Sequence, residues 1–279
     1  MKINRLINQG ASGGVSQLDA ELVLAFVLDV GREYLIAHSE EEVGESDEVL
    51  FFVYLKMVGE GMPLAYIFHE KEFFGLNFYV DERVLIPRPE TEMLVEKVIE
   101  FVGDGEEVRI LDVGTGSGAI AIALGDYYFQ KGGLDEVIAL DVSEGAVEVA
   151  RTNVRQHGLE GYVNVFESDL LEVLEDGEVF EVITANLPYI GEEKNRYVSV
   201  SAEIFEPHLA LFGGADGLDL YRRLFQELFE KGVRAGMIVG EFGFAQGEDL
   251  AALLDQYYLG KWEIEKDLAG IDRMFVIKP

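Results

Sequence analysis

The sequence contains no cysteine, and this absence excludes several kinds of chemistry. None of its 279 residues supplies a thiol for a disulfide, for nucleophilic catalysis, or for ligating zinc or an iron–sulfur cluster. Histidine is also scarce, and the four histidines, at positions 38, 69, 157 and 208, lack the spacing of metal ligands. We therefore expect no metal site.

Basic residues are few. The chain carries 22 Lys and Arg against 53 Asp and Glu, which gives a formal net charge of −31 at pH 7. The acidity is spread along the chain, since residues 1–80 already hold five basic and thirteen acidic side chains. A surface this acidic gains nothing from counterion release on nucleic-acid phosphates, and anionic lipid repels it. We expect neither nucleic-acid binding nor membrane attachment.

Long apolar runs are missing as well. No stretch approaches the roughly 18 apolar residues of a membrane-spanning helix, and the N-terminal sequence MKINRLINQGASGG lacks the apolar segment of a signal peptide. We therefore expect a cytoplasmic protein. Hydrophobic residues still make up 49% of the chain, so it can bury one large α/β core or two smaller ones.

The chain changes its hydrophobic period after the first seventy residues. Apolar positions three and four residues apart predict helices over 18–30 and 48–58, the first with Ser16 or Asp19 as its N-cap. Aromatic and β-branched residues predict a β-hairpin or two short strands over 71–87. The expected organisation is a helical domain of residues 1–70, a β-hairpin linker of 71–90 and a larger domain of 91–279.

Strands and helices alternate in the larger domain. A predicted helix over 93–102, closed by Gly103, precedes a series of strand–helix units. Repeated units of this kind indicate an α/β fold with a doubly wound sheet and helices on both faces. The predicted strands cover 108–113, 136–141, 162–168, 179–186, 236–242, 262–267 and 274–278.

A glycine-rich turn follows the first of these strands. It reads Asp112-Val-Gly114-Thr-Gly116-Ser-Gly118, and each glycine lets the backbone take a positive φ or approach a ligand closely. The spacing G-x-G-x-G, preceded by an acid on the strand, differs from the G-x-G-x-x-G of dinucleotide sites. That acid would repel a pyrophosphate but could hold backbone amides or accept from a cationic ligand. Dinucleotide binding and a purely structural turn are the alternatives.

Acids also follow the next two strands. Asp141 ends the second strand, where a carboxylate can accept hydrogen bonds from both hydroxyls of a ribose. Asp169 and Leu170 follow the third, where an acid and an apolar side chain could hold the edge and face of an adenine. The three residues are therefore candidates for binding a nucleoside.

The loop after the fourth strand carries Asn186-Leu187-Pro188-Tyr189. Methylating an amide or exocyclic amine nitrogen requires acceptors that hold its hydrogens and aim its delocalised lone pair. The Asn186 side-chain oxygen and the Leu187 carbonyl could be those acceptors, Tyr189 could stack on the planar group, and Pro188 stiffens the turn. The alternative is a strand that simply ends in an Asn-Leu-Pro turn.

The turn and the acids after it resemble those of class I S-adenosylmethionine-dependent methyltransferases, over residues 108–279. This resemblance implies a Rossmann-like seven-stranded domain and S-adenosyl-L-methionine as the cofactor. The residues it assigns to cofactor binding are Asp112, Gly114, Thr115, Gly116, Ser117, Gly118, Asp141, Asp169, Leu170 and Asn186.

The tetrapeptide from Asn186 to Tyr189 resembles the N/D-P-P-Y signature of amino- and amide-methylating enzymes, with Leu187 in place of the first proline. This form is also similar to that of the ribosomal RNA adenine dimethylases. The carbonyl at position 187 belongs to the backbone, so leucine can still supply it. What is lost is the stiffness of a double proline, and a new N–H appears. We expect retained activity with looser positioning of the substrate.

Other segments resemble the PrmC/HemK family of protein-(glutamine-N5) methyltransferases. VLIPRPETEMLVE over 84–96 is similar to its I-P-R-P-E-T-E signature, and EPHLALFGGADGLDLYRRLF over 206–225 matches the stretch after its catalytic loop. Three further segments also resemble segments of this family: residues 63–80, GEFGFAQG and AGIDRMFVI. The resemblance implies methyl transfer to the glutamine of the Gly-Gly-Gln motif of peptide chain release factors, with the N-terminal helices recognising the protein substrate.

This resemblance also makes Arg88 and Glu90 candidates for shaping the substrate-glutamine pocket, beside the four residues of the tetrapeptide. Without it, they would be a surface arginine and a first-turn acid favoured by the helix dipole. We expect a monomer. An RNA adenine dimethylase, which the net charge of −31 opposes, and a non-catalytic cofactor-binding protein remain the alternatives.

Overall fold

The computed structural model describes residues 1–104, 107–192, 199–257 and 260–278. They form two compact units. One comprises Met1–His69 together with Val200–Phe205, and the other comprises Glu70–Ser199 and Glu206–Pro279. The predicted domain division, with its boundaries after residues 70 and 90, stays a prediction.

The smaller unit is helical. Helix α2 begins where predicted, since the Ser16 hydroxyl caps it by accepting from the Asp19 backbone N–H at 3.0 Å. Helix α1 approaches α4 closely, because a Cβ added at Gly10 would lie 2.6 Å from Leu55 Cδ1. The helices are α1 (Ile3–Ser12), α2 (Gln17–Leu28), α3 (Arg32–Ala37), α4 (Glu45–Gly59), α5 (Leu64–Phe68) and, after a long interval, α9 (Val200–Phe205).

The helical prediction for the first seventy residues holds for α2 and α4, but α1 was not predicted. Its apolar residues Ile3, Leu6 and Ile7 are buried in the core of the smaller unit. The segment is short and polar on its other side, so its amphipathic pattern spans less than three turns. Among the described residues, no helix is both long and apolar enough to span a membrane.

The larger unit opens with the predicted hairpin. Strands β1 (Lys71–Phe73) and β2 (Leu76–Phe78) pair antiparallel around a two-residue turn of Phe74 and Gly75. Both turn residues have positive φ, 52° and 74°, as hairpins with a right-handed strand twist favour. A short 3-10 turn at Pro89–Thr91 then leads into α6 (Glu92–Val102).

A seven-stranded sheet forms the centre of this unit, in the order β5-β4-β3-β6-β7-β9-β8. All pairs from β5 to β7 are parallel, and β9 runs antiparallel to both its neighbours. The predicted seven strands are therefore confirmed, with bounds moved by one or two residues. They are β3 (Val108–Val113), β4 (Leu134–Asp141), β5 (Val163–Glu167), β6 (Val179–Ala185), β7 (Arg234–Glu241), β8 (Lys261–Lys266) and β9 (Asp272–Lys278).

Helices cover both faces of the sheet, as predicted. The inner parallel strands β4, β3, β6 and β7 are apolar on both sides, so Ile110 of β3 joins one core cluster and Leu111 the other. Helices α6, α7 (Ala119–Lys131) and α8 (Glu144–Gln156) pack in the first cluster. Helices α11 (Asp219–Lys231) and α12 (Gly247–Tyr257) pack in the second, and a single-turn helix α10 (His208–Leu211) precedes α11. The apolar spacing over 246–258 predicts a helix that corresponds to α12, and its last residue lies outside the described residues.

The strand order reverses at β3. From β3 the chain adds β4 and β5 on one side and then β6 and β7 on the other. Open α/β sheets bind ligands at such a switch point, outside the carboxyl ends of the strands. The segments that follow β3 and β6 are the glycine turn and the Asn186 loop, which therefore meet there.

Candidate active site

Strand register brings three predicted residues and one further acid into one row. Val113 pairs with Leu140 on one side and with Ala185 on the other, and Ala185 pairs in turn with Gly240. The next residue along each strand therefore lies at a common level. These residues are Asp141, Gly114, Asn186 and Glu241, so the turn, the first nucleoside acid and the tetrapeptide share one edge of the sheet.

The glycine turn has little hydrogen-bonding capacity left for an anion. The N–H groups of Gly114 and Thr115 both donate to Leu140 O, at 2.8 and 2.9 Å. The Gly116 N–H donates to Asp141 Oδ2 at 2.8 Å. Sites that bind pyrophosphate offer free backbone N–H groups to the ligand, and here these three are occupied. The turn is therefore a poor phosphate cradle.

Asp141 holds the turn through both oxygens of its carboxylate. Besides the Gly116 contact, its Oδ1 accepts from the Ser143 N–H at 2.9 Å. Burial raises the pKa of Asp141, and backbone N–H donors work against that rise. Each oxygen keeps a further lone pair, so the carboxylate can also accept from a ligand hydroxyl.

A cavity of about 330 Å³ opens at this edge of the sheet. Its size is that of a small-molecule site. Above Gly116 an added Cβ would meet no atom within 4 Å, so the turn leaves open space on this side. The predicted residues that line the cavity are Arg88, Gly114, Thr115, Gly116, Ser117, Asp141, Asp169, Leu170, Asn186, Leu187 and Pro188.

Four predicted residues lie outside the cavity wall: Glu90, Asp112, Gly118 and Tyr189. Gly118 precedes α7 with a φ of 82°, and a Cβ there would lie 3.4 Å from Ala150 Cβ, so the glycine lets α7 pack closely on α8. Asp112 is buried beneath the turn, where the Thr184 hydroxyl donates to its Oδ1 at 2.7 Å. Their assignment to the cofactor and substrate stays a prediction.

Leu187 is packed, and its backbone N–H lies near the Tyr221 hydroxyl. The side chain is buried, and a Cβ added at Gly114 would lie 2.9 Å from its Cδ2. Burial raises the pKa of the nearby Tyr221 well above its ordinary value, and the Leu187 backbone N–H works against that rise. The Tyr221 hydroxyl beside this N–H, which a proline would lack, donates to Glu241 O, and Ala185 O lies 3.1 Å from the same oxygen.

Buried Glu241, at the end of β7, connects the tetrapeptide to the Pro-Arg-Pro-Glu-Thr segment. Its Oε2 accepts from the Thr91 hydroxyl at 2.6 Å, and its Oε1 accepts from the Tyr189 hydroxyl at 2.9 Å. The Asn186 amide nitrogen lies 3.3 Å from Thr91 Oγ1. Thr91 or Glu90, just before the predicted helix over 93–102, is a candidate from sequence for capping it; this prediction is wrong for Thr91, which is the N-cap of α6 but makes no side-chain cap bond because Glu241 engages its hydroxyl.

Ion pairs hold two further cavity residues. Arg88 Nη2 lies 2.5 Å from Oε1 of the buried Glu206. Glu206 also accepts from the Ile86 N–H at 3.3 Å. Through these two contacts it joins the extended segment before α6 to the residues just before α10. Asp169 pairs with Arg223 of α11 at 2.9 Å, which places a guanidinium beside the predicted adenine subsite.

Comparison with known proteins identifies the family. The profile of the PrmC N-terminal domain matches residues 8–68, and that of a methyltransferase domain matches residues 110–207. The release factor glutamine methyltransferase of Clostridium acetobutylicum is 36% identical over 257 residues, which cover 92% of this chain and 89% of that protein. The one of Bacillus cereus is 38% identical, over 91% of this chain and 89% of that protein.

The chain belongs to the release factor glutamine methyltransferase family. Solved structures confirm the fold of its larger unit as a Rossmann-like class I methyltransferase domain. The human METTL16 catalytic domain in complex with an RNA hairpin superposes with a TM-score of 0.60 at 14% identity, over 91% of this chain and 90% of that one. The N-terminal domain of human METTL16 in complex with SAH gives 0.54 at 16% identity, over 91% and 93%.

Sequence reasoning missed several residues that line the cavity of this family member or bond to the segments around it. Glu241 and Tyr221 read as ordinary strand and helix residues, and Arg223 as one of two consecutive arginines in a helix. Asn153 of α8 was also missed: it is fully buried, and its amide donates to Ser117 O at 2.8 Å and to Tyr79 O at 3.0 Å. The signal available in sequence was a polar residue at an apolar helix position, since a buried amide needs partners.

Asp112 leads to a prediction about the stability of this family member. Burial raises the pKa of its carboxyl from 3.8 to about 6, with the hydroxyls of Thr115 and Thr184 opposing the rise. The folded state therefore holds a proton more tightly than the unfolded chain, and this group destabilises the fold as pH rises from about 4 to about 6. Asp112→Asn should raise the unfolding free energy at pH 8 by up to about 3 kcal/mol.

Denaturant unfolding of ligand-free protein at pH 8 and pH 4 measures this effect. The gain should shrink towards pH 4, where Asp112 is protonated in the folded state and partly protonated in the unfolded chain, and the exposed Asp135→Asn serves as the control. A variant less stable than the wild type at pH 8 would contradict the assignment.

Gly114 leads to a second prediction. Its φ is 77°, which costs alanine roughly 1–2 kcal/mol, and the new Cβ would also press on Leu187. Gly132, at the end of α7, has a φ of 72° with nothing within 4 Å of such a Cβ, so it is a matched control for the backbone cost alone.

We expect Gly114→Ala to lower the stability more than Gly132→Ala does and to weaken cofactor binding by about tenfold, equal to about 1.4 kcal/mol. Thermal unfolding and calorimetric titration of both variants measure the two effects. Equal behaviour of the two alanine variants would show that the contact with Leu187 is unimportant.

Proposed function

We propose that this chain transfers the methyl group of S-adenosyl-L-methionine to the side-chain amide nitrogen of the glutamine in the Gly-Gly-Gln motif of peptide chain release factors. The observation that carries the proposal is the position of Asn186 and Leu187, level with Gly114 and Asp141 on the wall of one cavity. Relatives named release factor glutamine methyltransferase, at 36–38% identity, support the substrate.

The residues present fit the proposed cofactor. Asp141 can take the ribose hydroxyls with its remaining lone pairs, and Asp169 and Leu170 can hold the adenine. The backbone N–H groups of the glycine turn are already hydrogen-bonded, which disfavours binding of a dinucleotide pyrophosphate. The acidic residues at the carboxyl edge of the sheet instead favour a cation such as the sulfonium of S-adenosylmethionine. When bound, S-adenosylmethionine supplies an electrophilic methyl carbon and a neutral thioether leaving group.

The protein contributes orientation and electrostatics to the reaction. Asn186 Oδ1 and the Leu187 carbonyl accept from the two hydrogens of the substrate amide, which turns its nitrogen lone pair towards the methyl carbon. The same acceptors stabilise the positive charge that the nitrogen gains in the transition state. The proton then leaves the product nitrogen to solvent. Pro188 limits the motion of the loop, and the packed Leu187 adds to that restraint.

We infer the remaining assignments from the same substrate. Arg88, held by Glu206, and Glu90 shape the glutamine pocket, and Tyr189 borders it. Residues 1–70 form the domain that recognises the release factor, 71–90 link it, and 91–279 carry catalysis. The enzyme works in the cytoplasm, because release factors act there, and it works as a monomer. The net charge of −31 disfavours an RNA substrate.

Methylation of full-length release factor with isotope-labelled S-adenosylmethionine tests the proposal. Mass spectrometry should place the label on the Gly-Gly-Gln glutamine and find none when that glutamine is replaced by alanine. Ribosomal RNA incubated in parallel should remain unlabelled. Label on adenine would favour the RNA enzyme, and cofactor binding without transfer to either would favour a non-catalytic protein.

A further inference from the structure

The orientation of the Asn186 side chain decides whether the proposed chemistry can occur. An amide side chain has an acceptor oxygen and a donor nitrogen of nearly the same shape. Only the orientation with Oδ1 towards the substrate can hold the hydrogens of a glutamine amide. The reverse orientation would set two NH₂ groups against each other, so something must select between the two.

The hydrogen-bond chain behind Asn186 makes this selection. Glu241 is 2% exposed, and as a carboxylate it can only accept. It accepts from Thr91 Oγ1 at 2.6 Å and from the Tyr189 hydroxyl at 2.9 Å. A threonine hydroxyl has a single hydrogen, and Glu241 takes it.

Thr91 Oγ1 therefore faces Asn186 with lone pairs only. The atom of Asn186 that lies 3.3 Å away must be a donor, and it is Nδ2. The Asn186 oxygen is then directed away from Thr91, which is itself on the cavity wall. In this series of hydrogen bonds the Asn186 amide donates to the Thr91 hydroxyl, and the Thr91 hydroxyl donates to the Glu241 carboxylate. The carboxylate therefore fixes Thr91 as an acceptor towards Asn186, and Thr91 in turn fixes the Asn186 nitrogen as the donor.

We propose that Thr91 and Glu241 are positioning residues that hold Asn186 with its oxygen towards the substrate amide. This inference rests on the proposed function. Neither residue needs to touch the reacting atoms. Arg273, Glu90 and Tyr221 are the other charged or titratable groups near Glu241, and none of them lies between Thr91 and Asn186 in the chain of hydrogen bonds.

Thr91→Val removes the hydroxyl and keeps the shape, so it is the direct test. We expect kcat for release-factor methylation to fall by about 10- to 100-fold, with KM for the release factor and the dissociation constant for S-adenosylmethionine changed by less than about threefold. Thr91→Ser keeps the hydroxyl and should restore kcat to within about threefold of the wild type. Equal loss in the serine and valine variants would overturn the proposal.

Glu241→Gln tests the polarity of the chain with almost no change in volume. A glutamine can donate to Thr91, whose hydrogen is then free to face Asn186, so the wrong orientation becomes available and kcat should fall. Because both residues act through Asn186, the double variant Thr91→Val/Glu241→Gln should be no slower than Thr91→Val alone. If the kcat losses of the two single variants multiply in the double variant, the residues act independently, and the proposed series of hydrogen bonds is contradicted.

A spectroscopic measurement separates this proposal from the proposed function. With [¹⁵N]asparagine labelling, the Asn186 side-chain NH₂ signal is identified by its loss in Asn186→Asp. It should move in Thr91→Val and stay near its wild-type position in Thr91→Ser, whether or not any substrate is methylated. An unmoved signal in the valine variant overturns the positioning role, whereas absent methylation by the wild type with the expected shifts overturns only the proposed function.

Discussion

Asn186→Ala is expected to lower kcat for release-factor methylation by roughly 10³-fold while leaving the affinity for S-adenosylmethionine within about threefold of the wild type. Alanine removes the side-chain acceptor for one hydrogen of the substrate amide, so the nitrogen lone pair is no longer aimed. The backbone carbonyl of Leu187 remains, which leaves a residual rate. Single-turnover kinetics and calorimetric titration of the cofactor measure the two quantities separately.

Asn164→Ala is a matched control for this variant. Asn164 lies on β5, and its amide donates to Glu136 Oε1 at 2.8 Å, away from the cavity wall. It should methylate at the wild-type rate. If Asn186→Ala weakened cofactor binding as much as it lowered kcat, Asn186 would be a cofactor ligand, and the assignment of Asn186 as an acceptor for the substrate amide would be wrong.

Asp141→Asn is expected to weaken S-adenosylmethionine binding by about 10²-fold, equal to about 2.7 kcal/mol. The carboxylate accepts from the Gly116 and Ser143 N–H groups, one on each oxygen. In asparagine an NH₂ group replaces one of the two carboxylate oxygens, and this donor would face the N–H of Gly116 or Ser143. The turn therefore shifts, and the ribose hydroxyls of the cofactor lose an acceptor. Isothermal titration with the cofactor gives the affinity directly.

Thermal unfolding distinguishes loss of the site from loss of the fold in this variant. Burial raises the pKa of Asp141, so its charged form already carries a desolvation penalty, and the neutral amide should not lower the melting temperature by more than a few degrees. Asp126→Asn on α7, where the carboxylate accepts from Gln130, is the control and should bind the cofactor normally. An unchanged cofactor affinity in Asp141→Asn would remove Asp141 from the site.

The sheet and most of its helices could be predicted because their signals are local. Strands such as β3 and β6 are short apolar runs bounded by turn residues, and their bounds moved by no more than two residues. The hairpin followed from a two-residue turn with glycine between aromatic residues. Helix α1 was missed because ten residues with a polar half carry too little periodicity.

The candidate site was predictable where each residue ends or directly follows a strand. Gly114, Asp141 and Asn186 occupy such positions, and parallel strands bring their carboxyl ends to one edge by necessity. Glu241 occupies an equivalent position as the last residue of β7 but was missed, because an acid at a strand end has many ordinary explanations. Its importance depends on a partner, and the partner lies on another element.

Sequence alone determined the strand–helix order, the residues at the ends of the strands and the family to which they are similar, since these depend on neighbours along the chain. The tertiary structure decided which of those residues work together. Thr91 is separated from Asn186 by 95 residues and from Glu241 by 150, and only the register of β6 with β7 and the 3-10 turn before α6 bring the three into hydrogen-bond distance. Hydrogen bonds act over about 3 Å and require alignment, so no pattern along the sequence can report them.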